Sequence, residues 1–545
     1  ILSKILERSI IWSLFLFLTL SVNAQQFDWA QSIGGLGSDV ARDITTDSEG
    51  NVIVVGSFSG YAEVAGTSMS GDGVLEAFVA KFTSEGDLLW TRVITGPGED
   101  MARGVLTDEE GTIYVVGHFT DTVTFHGTGS ITEGAKGEGG KDIFIAKYLS
   151  DGTFVWQITG GGWEDDTATD IDRYPWSGKL YVSGGCQERG IVGSVQLVSS
   201  GLTDALRRKS EADGNVHWAR AGGGEEHDVA AAVAVDQTNE SVYIAGDFYQ
   251  EANFNGTDLE SVGSSDMFLA KFDEAGNQEW VQSNGGTNVD VATDIGTDLN
   301  NMVYVCGYYQ LTTHFQNHRA TALGYNDVFL SQFSADGTCN WLSSAGSNAL
   351  DNCLGMDVAW DGTTYMCGMF EDEIFAGSQS ATGIGYDVFV LNHSPSGDIR
   401  YIKTAGAVSS DFGMAACIGP DNSLVISGYY FFYSDFDDVT IGIAENGDAF
   451  VARLTNILGS NTQEKNSPAS CISVNTNSGT VTCKCSRNGN WILVNNQGQL
   501  IDQGPLKRQF SLPRLAPGIY HLAIRQDGEE RVGVLKFVRA SIESR

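Results

Sequence analysis

The stretch FLAKFDEAGNQEW at residues 268–280 is written again, with small changes, as FVAKFTSEGDLLW ending at Trp90, FIAKYLSDGTFVW ending at Trp156 and FLSQFSADGTCNW ending at Trp341. Weaker copies, LRRKSEADGNVHW and FVLNHSPSGDIRY, end at Trp218 and Tyr401. With the closing aromatic as a ruler, positions 29, 90, 156, 218, 280, 341 and 401 are separated by steps of 60 to 66 residues. A chain of 545 residues would hold several average domains by length, but stacked repeats share one core, so the repeat overrides the length rule.

Four strand-like runs recur in each unit. In the fifth they are expected at Val291 to Asp298, Met302 to Tyr308, Asp327 to Phe333 and Thr338 to Ser343. β-Branched and aromatic residues bounded by Gly, Asp and Asn turns are strand chemistry, and nothing in the unit has a sustained helical period. Gly86, Gly152, Gly214, Gly276, Gly337 and Gly397 each stand four residues before the closing aromatic, as a tight hairpin with positive φ requires. Four short antiparallel strands repeated radially predict an all-β chain built as a seven-bladed β-propeller. The chain enters at a fourth strand around Trp29 and leaves after a third strand at 448–454. The N-terminal strand is therefore expected to complete the last blade and cover both edges.

The unit pattern D-x-F-x-A-K-F, G-x-x-x-W, GG-x-x-x-D and V-Y-V-x-G-x-F resembles the bacterial seven-bladed SBBP-type propeller repeat over residues 27–455. The third unit departs most: Leu206 replaces the Phe, and Arg207-Arg208-Lys209 puts a basic cluster where other units are apolar.

The ends read differently from the body. Residues 1–24 carry Lys4 and Arg8 before an apolar run and end in Val22-Asn23-Ala24, the pattern of a cleavable secretory signal. The propeller is expected over 25–457, a polar linker over 458–467 and a small β-sandwich over 468–541. That tail carries Gly498 in a turn, the run Leu515-Ala516-Pro517-Gly518-Ile519-Tyr520 and Lys536-Phe537-Val538. It resembles the type A C-terminal sorting domain of the Bacteroidota type IX secretion system. Two departures stand out: the opening Pro-Asn-Pro is reduced to Ser467-Pro468-Ala469, and ASIESR extends past the usual end. The resemblance implies the type IX secretion machinery as a partner and a secreted or outer cell-surface location.

Net charge is −37, yet from residue 466 onward ten Lys or Arg face five Asp or Glu, so the acidity lies in the body. Such a body repels phosphate backbones and anionic lipid, which disfavours nucleic acid and direct membrane binding. No segment after the signal is apolar enough to span a bilayer. Nine cysteines are an odd number for an oxidising compartment. Cys306 and Cys367 precede a repeat glycine inside apolar strands and read as buried free thiols, and one disulfide among Cys471, Cys483 and Cys485 is compatible with their spacing.

The sharpest chemical candidate is an aspartate ten residues after each blade's aromatic: Asp39, Asp100, Asp166, Asp228, Asp290, Asp351 and Asp411. A ring of carboxylates suits a hard cation such as Ca²⁺. The preferred reading is structural, each Asp accepting backbone amides of its own Gly-rich crossover loop, because a ligand site normally breaks repeat symmetry. The same regularity assigns Phe125, Phe254, Phe315 and Phe436 to packing. Function is expected in the second-to-third-strand loops, notably Gly127 to Gly140 and the run Tyr429, Tyr430, Phe431, Phe432, Tyr433 with Asp435, Asp437 and Asp438. Exposed aromatics beside carboxylates would suit a polysaccharide or a protein partner; the preferred reading of the run is burial between blades.

Signatures of catalysis are thin. His314 and His318 would stand about 13 Å apart on one strand, and no acidic residue stands in the H-E-x-x-H place. The sequence is read as a binding module without a cofactor; a glycan-active propeller hydrolase and a purely structural adhesion protein are the alternatives.

Overall fold

The computed structural model describes residues 25–128 and 132–457, with tail segments 472–475, 480–483, 489–495, 500–505, 509–512, 518–526 and 532–539. The signal segment, the linker, Gly498 and Pro517 lie outside the described residues. Among the described residues the chain is all-β, with no helix, and its strands pair into antiparallel sheets.

First strands run Val40–Thr46, Met101–Thr107, Thr167–Tyr174, Asp228–Val235, Asp290–Thr297, Asn352–Val358 and Asp411–Ile418. Each pairs with a second strand, the second with a third, and the third with a fourth carrying the closing aromatic. In the fifth unit the order is Asp290–Thr297, Val303–Tyr309, Asp327–Phe333 and Cys339–Ala345. The N-terminal strand Gln26–Gly35 pairs with Val439–Thr455, from Gln26 opposite Thr455 to Ile33 opposite Ala449. The first strands pack side by side in chain order, and Asp411–Ile418 packs against Val40–Thr46. Second and third strands such as VIVVGSF and EAFVAKF are buried at every position, which is how a sheet reads when it is covered on both faces. Each core cluster is accordingly drawn from two neighbouring units, as where Tyr243 and Leu269 meet Val303 and Phe329.

The repeated thirteen letters encode contacts between units. The indole N–H of Trp29 donates to Ser84 O at 3.0 Å, Trp90 to Ser150 O at 3.1 Å, Trp218 to Glu274 O at 3.2 Å, Trp280 to Ala335 O at 3.2 Å and Trp341 to Pro395 O at 3.2 Å. In every case the acceptor is the third-to-fourth-strand turn of the next unit. The turn glycine has a second duty there: a Cβ on Gly86, at φ 89°, would sit 2.7 Å from the Trp29 ring.

At the opposite ends of the strands the second-to-third-strand segments, expected as irregular loops, are largely hairpins, and this corrects the expectation. Tyr61–Val64 pairs with Thr67–Ser70, and Glu251–Phe254 with Thr257–Glu260. Residues 132–136 likewise pair with 122–126, so much of the Gly127 to Gly140 stretch is strand. His314 and His318 sit on opposite arms of one hairpin, not on one strand. These hairpins reach back to the preceding unit's fourth strand, with Gly34 opposite Glu63, Gly223 opposite Asn253 and Gly285 opposite His314. The reach explains the GG pair. A Cβ on the second glycine would strike a hairpin carbonyl, Glu251 O at 1.7 Å from Gly224 and Thr312 O at 1.7 Å from Gly286. On the first it would strike a third-strand carboxyl, Asp448 at 2.2 Å from Gly34 and Asp142 at 2.2 Å from Gly161.

In the third unit Arg207 and Arg208 are buried to 1% and 2% exposure. Arg207 lies on the Phe272 ring at 4.2 Å, and none of its side-chain nitrogens has an acceptor. In the tail, 472–475, 480–483 and 509–511 form one sheet, and 500–505, 489–495, 518–526 and 532–539 form another. Gly518 opens the strand Gly518–Gln526, which contains Tyr520, and Lys536 pairs opposite His521.

Two substitutions test these contacts. Gly286→Ala is expected to lower stability by roughly 1–3 kcal/mol through overpacking, read as a lower denaturant midpoint. Arg207→Leu, which restores the aliphatic residue of the other units, is expected to raise the midpoint because a buried charge without a partner is removed; an unchanged or lower midpoint would refute that account.

Candidate ligand-binding face

Fourth strands end, first strands begin, second strands end and third strands begin at one face, because the strands alternate in direction. The repeat aspartates lie there, and Asp39, Asp100, Asp228, Asp290, Asp351 and Asp411 are fully buried while Asp166 is 1% exposed. Asp39 accepts the Gly35 amide at 2.9 Å and the Ser59 amide at 3.1 Å, so one carboxylate ties the crossover to the end of its own second strand. Asp228 does the same with Gly224 at 2.6 Å and Tyr249 at 3.2 Å. Asp166 takes Gln187 at 3.2 Å, Asp290 takes Gly286 at 2.7 Å, Asp351 takes Ser347 at 2.6 Å and Asp411 takes Ala407 at 3.1 Å. Asp100 has no backbone donor at either oxygen and faces Glu76.

Each repeat aspartate has a carboxyl neighbour that sequence reasoning missed: Asp448, Glu76, Asp142, Asp204, Asp266, Asp327 and Asp387 in turn. The signal was present, since these are the opening acids of the D-x-F motif. Burial, reinforced by the neighbouring acid, pushes Asp39, Asp166, Asp228, Asp290, Asp351 and Asp411 up to about 7 and Asp100 up to about 8. Among the described residues no group of three or more His, Cys, Asp or Glu is arranged to hold a metal ion.

The predicted aromatic run divides. Tyr430 is fully buried and donates its hydroxyl to Ser32 Oγ at 2.9 Å, so its expected place among binding residues is corrected: it packs across the join with the N-terminal strand. Asp437 is likewise engaged, accepting the Phe27 amide at 2.8 Å and the Lys403 ammonium. Tyr429 is half-buried and stacks on Phe412, with ring centroids 4.5 Å apart. Phe432 and Tyr433 are exposed, 59% and 39%. Phe432 adopts φ 59°, but Asp121, Gln250, Leu311 and Asp372 hold matching conformations at the same repeat position. The backbone there is scaffold, and only the choice of Phe is irregular. Tyr433 and Asp435 line a groove of about 480 Å³ with Ile384, Asp387 and Val408.

This face concentrates exposed apolar side chains. Leu36, Trp163 and Val408 stand at one crossover position, Val74 and Tyr325 stand just before third strands, and Ile384 stands within the strand Gln379–His393, all well exposed. Two cavities lie on the axis behind it, of about 290 and 300 Å³, each lined by residues from all the first strands. Asp43, Asp170 and Asp294 border both. The cavity on the loop side also holds Arg42 and Arg103, which sequence reasoning missed; their signal was a basic residue three positions after the repeat Asp in an acidic chain.

No known protein-family profile matches the chain. An uncharacterized WD repeat-containing protein of Acanthamoeba polyphaga mimivirus is 22% identical over 424 residues, covering 63% of this chain and 30% of that protein. The chain thus spans under a third of that relative's length. Among solved structures, PorZ, a bacterial surface component of the type IX secretion system of Porphyromonas gingivalis, aligns over 91% of this chain and 81% of its own, at 9% identity and a TM-score of 0.22. The extracellular domain of a protein described as a hybrid two-component system from B. thetaiotaomicron aligns over 91% and 85%, at 10% identity and a TM-score of 0.21. Sqt1 from Chaetomium thermophilum aligns over 78% and 88%, at 10% identity and a TM-score of 0.36.

The paired carboxyls have a pH consequence. Their folded pKa lies above the unfolded value, so the native state binds more protons in between. Their contribution is complete below about pH 4 and is lost as pH rises through about 7 to 8. The denaturant midpoint is expected to fall between about pH 5 and about pH 8; a midpoint that climbs over that range would count against buried, protonated acids.

Proposed function

We propose that the chain is a binding module of the outer cell surface or the medium: a seven-bladed β-propeller closed by its N-terminal strand, with a C-terminal β-sandwich that addresses it to the type IX secretion machinery. The single observation that carries the binding reading is the segregation of exposed Trp163, Tyr325, Phe432 and Tyr433 to one face. Exposed apolar side chains gathered on one surface mark interaction sites, and aromatic rings beside a carboxylate such as Asp435 suit the C–H faces and hydroxyls of a polysaccharide. A protein ligand is the second reading, favoured by the aliphatic share of the same rim, Val74, Ile384 and Val408.

The repeat aspartates belong to the scaffold on this reading. Their burial keeps them from substrate and their oxygens hold backbone amides, which weighs against a glycan hydrolase built on those pairs and against a Ca²⁺ ring. A purely structural adhesion role would leave the rim without a ligand.

The test is a thermal melt of the protein against a glycan panel. Binding to the native state raises the midpoint. A subset of glycans is expected to do so, and Phe432→Ala with Tyr433→Ala is expected to abolish the shift without lowering the ligand-free midpoint by more than a few degrees. No shift with any glycan would sink the polysaccharide reading.

A further inference from the structure

The loop-side axial cavity is asymmetric in charge. Arg42 and Arg103 occupy equivalent positions of adjacent units, three residues after Asp39 and Asp100. Among the described residues neither guanidinium makes a hydrogen bond or an ion pair, and the Nε of each is buried without an acceptor. Several other cations drawn into the fold are neutralised: Lys81 by Asp47 at 2.9 Å, Lys209 by Glu240 at 2.9 Å and Arg173 by Glu109 at 2.7 Å. At the same rim Lys141 and His118 close on Glu99 at 3.1 and 3.7 Å. Arg207 is also unpaired, but it is sealed against Phe272, whereas Arg42 and Arg103 border open space. Burial above all, with the charge of Arg103, brings Arg42 down to about 10 against the weaker pull of Tyr429 and Glu99.

The acids that share the cavity are committed elsewhere, with one exception. Asp43 accepts the amides of Ile44 and Val105, Asp170 those of Ile171 and Val233, and Asp294 those of Ile295 and Met356. Asp247, on the second strand Val242–Phe248, accepts no hydrogen bond from another described residue. Leu354 and Met414 supply an apolar wall. The cavity therefore offers two free guanidiniums, one free carboxylate and a hydrophobic patch in about 290 Å³, near the low end of small-molecule sites.

We propose that this cavity binds an acidic sugar, its carboxylate held by Arg42 and Arg103, its hydroxyls donating to Asp247, and its C–H face against Leu354 and Met414. Guanidinium groups recognise carboxylates through paired, charge-assisted hydrogen bonds. A neutral sugar would accept from the guanidiniums but leave their charge without a counter-ion. A peptide C-terminus would satisfy them but brings no hydroxyls for Asp247. The inference rests on the glycan-binding reading and names the chemical class of ligand at the centre of that face.

The experiment is calorimetric titration of the full chain with galacturonate, galactose and a dipeptide with a free C-terminus, at low and high salt. Galacturonate is expected to bind, more weakly at high salt, and galactose to give no heat. Arg42→Ala and Arg103→Ala are each expected to weaken binding by about tenfold or more, with Arg42→Gln as the second variant should Arg42→Ala fail to fold, and Asp247→Asn is expected to weaken it less. Leu149→Ala, in an exposed third-to-fourth-strand turn at the opposite end of the strands, should leave galacturonate binding unchanged. Absent galacturonate binding, equal binding of galactose, tighter binding of the dipeptide, or indifference to both arginine substitutions would each overturn the proposal. A rim that still binds polysaccharide in that event leaves the glycan reading standing; loss of both ends it.

Discussion

Six of the seven closing aromatics are tryptophans, and five of these carry an indole N–H satisfied by the next unit, while that of Trp156 has no acceptor among the described residues. These groups lie at the edge of a sandwich of sheets, and the acceptor in five units is the turn carbonyl of the following unit, at 3.0 to 3.2 Å. Each of these five bonds makes one unit depend on the next, and an open row would leave its last member without that acceptor. The N-terminal strand resolves this at the join: Trp29 arrives on Gln26–Gly35, enters the sheet of the last unit and donates to the turn of the first. The turn glycine, the Trp and the side-by-side packing of the first strands are one device. Repetition of the thirteen letters is repetition of an interface.

At the other ends of the strands the same neighbours are joined by different chemistry. Two glycines admit a carbonyl and a carboxyl that any Cβ would displace, and the repeat aspartate then caps the amides exposed by so close an approach. Packing a second acid beside it is unfavourable for two charges and tolerable for one charge and one proton. The acidic body thus keeps part of its acid uncharged inside its junctions. Because amides and carboxyls satisfy one another there, the loops beyond them are released from folding duty and can expose Trp163, Tyr325 and Phe432.

The sheet architecture was legible because turn glycines, closing aromatics and alternating strands are local signals. The hairpins were not, since four residues such as Tyr61–Val64 carry too little pattern to reveal that their partner lies in the preceding unit. Tyr430 and Asp437 misled for the same reason. An aromatic run in a loop can be read as buried or as exposed, and sequence does not show that the N-terminal strand, more than 390 residues away, covers Tyr430 and claims Asp437. The cavity arginines were hidden differently: Arg42 and Arg103 each sit at a register shift, between Ala41 and Asp43 and between Ala102 and Gly104, where alternation fails and sequence cannot say which way a side chain turns.

Those register shifts also decide how the axis is divided. The residue after each shift is Asp43, Gly104, Asp170, Ala232, Asp294, Gly355 and Ala415 in successive units. Aspartate alternates with a small residue, so each carboxylate bridges to the next unit's first strand across a neighbour with at most a methyl group to crowd it. The alternation lapses at Gly355 and Ala415, so Asp43 has a small residue in the first strand on either side, Gly104 and Ala415. Burial and mutual repulsion push Asp43 up to about 8, so a further carboxyl at that level would have to be protonated or expelled. The break lies next to the sector that carries Arg42 and Arg103. The lapse in alternation thus falls beside the first strands that supply the positive charge of the cavity.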